Sequence, residues 1–264
     1  MIQLSTTMPF MDPAKFTWAC IGDQATNKII FDILILDAKE AAETADWIIC
    51  NSTMELEVGA FTLFPKMLPI GPLLASNCFL KQTGHFWKED STCLTWLDQQ
   101  PVCLVIYVAF GSITIFNQPQ FEELALGLEL TNKPFLWAVR PGTSGSTNTT
   151  VYPDGFMDRV CNRGKMVSWA PEQEFLNTTY ICEIWKTGMG LNKDENSGIV
   201  TRGEIKSKVE QLLSNNIVKE NALNLQEKVG ARKSSNKNLR NFIDWLKEGN
   251  ANANVNAPEK NTSK

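Results

Sequence analysis

An α/β fold built on a doubly wound parallel sheet is predicted by three features of the sequence. Leu104–Phe110 (Leu-Val-Ile-Tyr-Val-Ala-Phe) is a β-branched and aromatic run without alternation, which marks a strand buried on both faces. Behind it Phe121, Leu124, Ala125 and Leu128 fall at i, i+3, i+4 and i+7, the spacing of a helix with one apolar face. Two further apolar runs, Pro134–Val139 and Lys165–Trp169, repeat the strand signal, so strands alternate with helices as βαβ units require.

The elements follow in order. Residues 14–36 mix apolar and polar positions in a weakly helical pattern, and Asp46–Asn51 is an apolar run of strand length. Pro65, Pro69, Gly71 and Pro72 then predict a break in regular structure. Ser76–Pro101 reads as a polar linker that ends in a short helix around Cys93–Gln99. Gly111-Ser112 terminates the first strand of the sheet, Asn117 suits the cap of the next helix, and Pro119 suits its first turn. A Gly/Ser/Thr/Asn loop over Gly142–Thr150 and a short helix at Phe156–Val160 separate the second and third strands.

Beyond Ala170-Pro171 the pattern becomes helical from Phe175 onward, apart from Gly188–Leu191. Thr201 and Glu204 read as a capping box ahead of Ile205, Val209, Leu212 and Leu213. Leu239, Phe242, Ile243 and Leu246 form the stripe of a terminal amphipathic helix, and the Asn/Ala-rich tail has too little to bury to stay ordered. The division predicted is an N-terminal fragment over 1–75, a linker over 76–102, a nucleotide-binding-like domain over 103–235, a C-terminal helix over 236–249 and a disordered tail over 250–264.

Composition excludes several functions. With 43% hydrophobic and 20% charged residues among 264, the chain buries a core and is no disordered segment. Its 25 Lys+Arg against 29 Asp+Glu leave a net charge of −4, so no basic surface is expected to neutralise a nucleic-acid backbone. No apolar run of about 18 residues and no basic-then-apolar leader appears, so neither a membrane partner nor secretion is expected and the cytoplasm is the predicted location. The seven cysteines are odd in number, dispersed and without Cys-x-x-Cys, which reads as free thiols. With one histidine, His85, no metal site is expected.

The place where chemistry concentrates is Phe110-Gly111-Ser112. A parallel strand ending there puts a small residue, a hydroxyl and free backbone N–H groups at the carboxyl edge of a sheet, where α/β folds bind ligands and phosphate in particular. Gly-Ser turns also end buried strands for geometric reasons alone. Trp169 after the third strand offers an indole to a nucleobase, or simply packs. His85, in the polar linker, is read as an exposed loop residue rather than a base.

Taken together, the segments resemble the plant UDP-dependent glycosyltransferases of family 1, which have a GT-B fold of two facing Rossmann-like domains. Asp46-Trp-Ile-Ile-Cys-Asn-Ser52, Leu68-Pro-Ile-Gly-Pro72, Cys93-Leu-Thr-Trp-Leu-Asp98, Val105-Ile-Tyr-Val-Ala-Phe-Gly-Ser112, Phe121-Glu-Glu-Leu-Ala-Leu-Gly-Leu128, Phe135-Leu-Trp-Ala-Val-Arg140 and Trp169-Ala-Pro171 occur in the family's order. The resemblance implies an incomplete GT-B fold: a Rossmann-like C-terminal nucleotide-binding domain with strands missing, plus a fragment of the N-terminal acceptor domain. It implies transfer of glucose from UDP-glucose to a hydroxyl of a small lipophilic or phenolic acceptor, with UDP-sugar as co-substrate, no other cofactor and no metal. By resemblance Trp169 stacks on uracil, the Ala170 backbone bonds its edge, Gly111 and Ser112 approach the diphosphate, and Gln173 is a relic of the pair that closes the donor signature.

Two departures accompany the match. The family's catalytic His has no counterpart at a matching position, so no catalytic residue is assigned. The donor signature is interrupted as well: Trp169-Ala-Pro-Glu-Gln173 runs almost directly into Glu174-Phe-Leu-Asn-Thr-Thr-Tyr180, and Glu172 stands where the family has Gln. Each lost charge-assisted bond removes roughly 1.5 to 3 kcal/mol of donor binding, so the chain is expected to be inactive as it stands. Two alternatives remain open: a non-catalytic partner of full-length relatives, and a splice or gene-model product that does not fold.

Overall fold

The computed structural model describes residues 1–20, 23–73, 92–101, 104–111, 116–139, 151–168, 180–230 and 233–255. The chain divides into two compact units, one formed by Met1–Phe79 with Leu223–Lys264 and the other by Leu80–Ala222.

The first unit begins with short helices, α1 (Thr17–Cys20), α2 (Gln24–Phe31) and α3 (Ala38–Thr44), with a π-helical turn over Asp32–Asp37 between the last two. Asp23 caps α2 by accepting from the Thr26 backbone N–H at 2.8 Å. Strand β1 (Ile48–Cys50) falls inside the predicted run. After α4 (Val58–Leu63) comes β2 (Met67–Pro69), which pairs parallel to β1 with Ile48 opposite Met67 and Cys50 opposite Pro69. The prolines were expected to exclude a strand here. In this two-stranded sheet β2 has only one paired side, and a proline without an N–H is tolerated on an edge.

The second unit holds α5 (Thr92–Leu97), β3 (Ile106–Val108), α6 (Gln118–Leu130), β4 (Phe135–Ala138), α7 (Phe156–Val160), β5 (Gly164–Val167) and α8 (Arg202–Ser214). The strands form a parallel sheet in the order β3-β4-β5, with Val108 opposite Trp137 and Trp137 opposite Met166. Alternation along β4 sends its side chains to both faces. Phe135 and Trp137 join Phe121, Leu124, Ala125 and Leu128 of α6, Phe156 and Val160 of α7 and Ile205 of α8 on one face. Leu136 and Val167 join Cys93 of α5 on the other. Helices therefore cover both faces, as a doubly wound sheet requires. The strand buried on both faces is β4 and not β3, where Tyr107 is 47% exposed.

Helix α6 is held to its neighbours by three devices. Gly127 lets α8 approach so closely that a Cβ there would meet Ile205 at 2.9 Å. Arg202 at the start of α8 grips the Glu123 carboxylate through Nε at 2.9 Å and also through Nη2. Arg159 of α7 makes a two-point bond to Glu129, Nε to Oε1 at 2.6 Å and Nη2 to Oε2 at 3.0 Å. These arginines hold both glutamate carboxyls below their ordinary value, chiefly through the side-chain hydrogen bonds. Phe121 stacks on Trp137 at 4.9 Å and Tyr152 on Phe156 at 5.5 Å, and burial pushes the Tyr152 hydroxyl up to about 12.

Between Tyr180–Ile184, a single π-helical turn, and α8 the chain is irregular, although the sequence predicts helix there. The Asp194 carboxylate accepts from the backbone N–H groups of Asn196 and Ser197 and from the Ser197 hydroxyl, and Gly198 sits at φ 70°. An Asp that satisfies its own following backbone competes with the helix and wins. The predicted capping box is half formed. Thr201 accepts from the Glu204 N–H at 3.3 Å, but the Glu204 carboxylate turns to Asn192, taking its N–H at 3.0 Å and its Nδ2 at 2.9 Å.

Helix α9 (Asn216–Gly230) leads to α10 (Lys233–Val255), which runs past residue 250 where order was expected to end. Within the first unit α10 lies against Trp47, whose ring is 5.6 Å from Phe242 and 5.8 Å from Trp245, and Asn238 Nδ2 donates to the Pro69 carbonyl at 2.9 Å.

Candidate functional site

Three parallel strands end at one edge of the second unit, and the first connection there is built for close approach. Gly111 follows β3 at φ 66°, a left-handed conformation that side chains with a Cβ rarely adopt. Asn117 caps α6 with its side-chain oxygen accepting from the Gln120 N–H at 3.0 Å, Pro119 standing in the first turn as the sequence predicts. The remaining orphan N–H groups and the dipole of α6 make this end of the helix electropositive.

Beside that cap lies a cavity of about 350 Å³. Its walls include Phe110, Phe116, Leu124 and Ile205, with Asn117 and Lys193 as polar members. Gln120 fixes the far wall by a reciprocal pair of bonds across 80 residues: Nε2 donates to the Val200 carbonyl at 2.9 Å, and the Val200 N–H donates to Oε1 at 2.8 Å. Sequence reasoning missed Gln120 and Lys193. Neither belongs to a motif, and only tertiary structure brings the 191–200 segment to the start of α6.

Of the residues predicted to bind the nucleotide sugar, Gly111 is placed at the strand edge. Ser112, Trp169, Ala170 and Gln173 lie outside the described residues, as do Glu172 and His85. Among the described residues no group of His, Cys, Asp and Glu is placed to hold a metal ion, and no helix is long and apolar enough to cross a membrane.

The second unit is a parallel α/β domain with a left-handed glycine after β3, and comparison with known proteins places it further. No protein-family profile matches the chain. UDP-glycosyltransferase 83A1 of Arabidopsis thaliana is 35% identical over 295 residues, an alignment covering 93% of this chain and 60% of that protein. 7-Deoxyloganetin glucosyltransferase of Gardenia jasminoides is 34% identical over 153 residues, covering 54% of this chain and 32% of the relative. Among solved structures, Phytolacca americana UGT2 complexed with UDP-2fluoro-glucose and pterostilbene superposes with a TM-score of 0.60 at 25% identity, over 79% of this chain and 54% of that one. This chain is a homologue of the plant UDP-glycosyltransferases of family 1 and carries a partial GT-B fold, spanning somewhat over half the length of the curated relative it matches across 93% of its own residues.

The first alignment also contains a length difference. It runs over 295 residues, yet 93% of 264 is only about 246, so about fifty positions of the relative face a gap in this chain. The second alignment is nearly continuous, since 54% of 264 is about 143 against 153 aligned.

Proposed function

We propose that this chain is the donor side of a UDP-sugar-dependent glycosyltransferase, binding UDP-glucose at the carboxyl edge of the second unit's sheet. The homology across 93% of the chain carries the reading, and the left-handed Gly111 at the end of β3 supports it from the fold. In this reading the Trp169 indole stacks on uracil while the Ala170 backbone holds its edge. Gly111 and Ser112 present N–H and hydroxyl donors to the diphosphate, stabilising the charge that develops as the glycosidic bond to phosphate breaks. Gln173 lies toward the sugar. The acceptor is a hydroxyl on a small lipophilic or phenolic molecule, and neither a metal nor another cofactor takes part. The interrupted donor signature removes donor contacts, so we assign weak donor binding and no transfer to the chain by itself, with no catalytic residue.

Isothermal titration with UDP-glucose tests this: saturable binding that Trp169→Ala weakens roughly tenfold or more, the scale of one base-stacking contact, is expected. Absence of binding, or binding indifferent to that substitution, refutes it. Glucosyl transfer to a phenol by the isolated chain would overturn the assignment of inactivity.

The second reading, a non-catalytic partner of full-length relatives, is favoured by one observation. Ile29, Ile33 and Leu36, at 59%, 56% and 51% exposure, line up on the α2 segment and its π-helical continuation, more apolar surface than a free helix ordinarily shows. Co-elution with a full-length relative in size-exclusion chromatography with light scattering, lost on Ile33→Asp, is the result it predicts.

A further inference from the structure

We infer that the chain associates with a second copy of itself, the continuous helical segment 24–44 of one copy lying antiparallel on the same segment of the other. This segment runs from α2 through the π-helical turn over Asp32–Asp37 into α3. Phe31 meets Trp18 of α1 edge on, with centroids 5.9 Å apart. Ile29, Ile33 and Leu36 are left more than half exposed, an apolar set that a matching surface would remove from water. The row is the one invoked for a full-length relative, but the occupant differs, and the inference needs neither that reading nor the nucleotide site.

Spacing and charge name the occupant. Turned end for end about Ile33, the segment matches itself: Ile29 of one copy comes beside Leu36 of the second, with Ile33 near Ile33 at the centre. A twofold interface requires a patch of this self-complementary kind. The charges agree with that direction, since Lys28 stands toward the N-terminal end while Asp37, Glu40 and Glu43 outnumber Lys39 toward the C-terminal end. Antiparallel pairing sets Lys28 beside Asp37 of the second copy and opposes the two helix dipoles, whereas parallel pairing brings like ends together. Lys28 already reaches Asp32 of its own helix at 2.8 Å, and an ammonium has further protons to donate. A membrane fits less well, because four acidic against two basic side chains over 24–44 repel the anionic surface that interfacial helices seek. Three apolar side chains per copy make a small contact, so the association is weak and reversible and leaves the unfolding of the separated chain as it is.

Sedimentation equilibrium of the full chain, from micromolar to several hundred micromolar, tests this. The average mass is expected to rise from one chain toward two and to stop there, because a twofold contact closes on itself. Ile33→Asp faces two carboxylates across the centre and should hold the chain monomeric throughout; circular dichroism checks that this exposed substitution leaves the fold intact. Lys28→Glu and Asp37→Lys should each weaken association several-fold, and the two combined should restore it. That rescue follows from the antiparallel register, and general stickiness of an apolar row does not produce it. The inference is overturned if the chain stays monomeric at the highest concentration, if the mass climbs past two chains, if Ile33→Asp associates like the unaltered chain, or if the double variant fails to recover. A chain that is monomeric alone yet co-elutes with a full-length relative would also overturn it, giving the row to that partner and leaving the second reading of the function standing.

Discussion

The two units differ in what they bury. In the second, a sheet with helices on both faces encloses Phe121, Phe135, Trp137, Phe156 and Val160, none more than 2% exposed. In the first, Phe61 and Ile70 are the only buried large apolar side chains among the described residues, while Ile29, Phe31, Ile33, Leu34 and Leu36 are all 36% exposed or more. The same chain thus pairs a region whose hydrophobic burial can offset its chain entropy with one whose apolar faces lack partners. The strand-edge site sits on the well-packed region, and binding chemistry is best assigned to the part with a rigid scaffold beneath it.

The sharpest way to break this contrast is to cut into each side of it. Phe121→Ala removes a ring that stacks on Trp137, at the centre of the larger core, and is expected to cost about 3 to 5 kcal/mol, enough to abolish cooperative unfolding of the second unit in a urea titration. Ile33→Ser, on the exposed row of the first unit, should change stability by no more than about 0.5 kcal/mol. Equal effects would erase the distinction.

Next in size are the ties of α6. Glu123→Gln should cost about 1 kcal/mol, the upper end for a partly exposed ion pair. The pH dependence follows from the same bonds. The Glu123 and Glu129 carboxyls are held below the ordinary value of 4.5 by hydrogen bonds from Arg202 and Arg159. Their stabilisation is present above that value and is lost as pH falls through the lower folded-state values. The melting temperature should therefore drop on acidification below about pH 4.5, and the drop should be shallower in a Glu123→Gln, Glu129→Gln double variant.

Effects of similar size are expected at the turn itself. Asn117→Ala removes the α6 cap and should cost about 1 kcal/mol by thermal unfolding. Gly111→Ala forces a Cβ into the left-handed region at a cost of roughly 1 kcal/mol, and by the proposed function it should weaken UDP binding more than it lowers stability.

Much of the second unit was legible in the sequence because local chemistry dictated it. Helix α7 occupies Phe156–Val160 as predicted, and Asn117 and Pro119 perform the roles their types suggest. What escaped depended on distant partners. Tyr107 reads as interior by composition, but β4 and not β3 takes the centre of the sheet. Glu204 reads as half of a capping box until Asn192, twelve residues upstream, claims its carboxylate. Leu212 and Leu213 fit a buried stripe by period, yet only Ile205 of α8 is fully covered. Near the strand edge, the turn at Gly111 was legible from its place after a strand, whereas Gln120 and Lys193 carry no local signal at all.

The central claim is that the strand edge after β3 still binds a nucleotide despite the interrupted donor signature. Thermal unfolding of the purified protein with and without millimolar UDP tests it most directly. The account predicts a cooperative transition whose midpoint climbs with UDP concentration, as linkage to the folded state demands, and a Trp169→Ala variant whose midpoint does not move. A midpoint indifferent to UDP in the unaltered chain would contradict the account and leave the homology as a statement of ancestry alone.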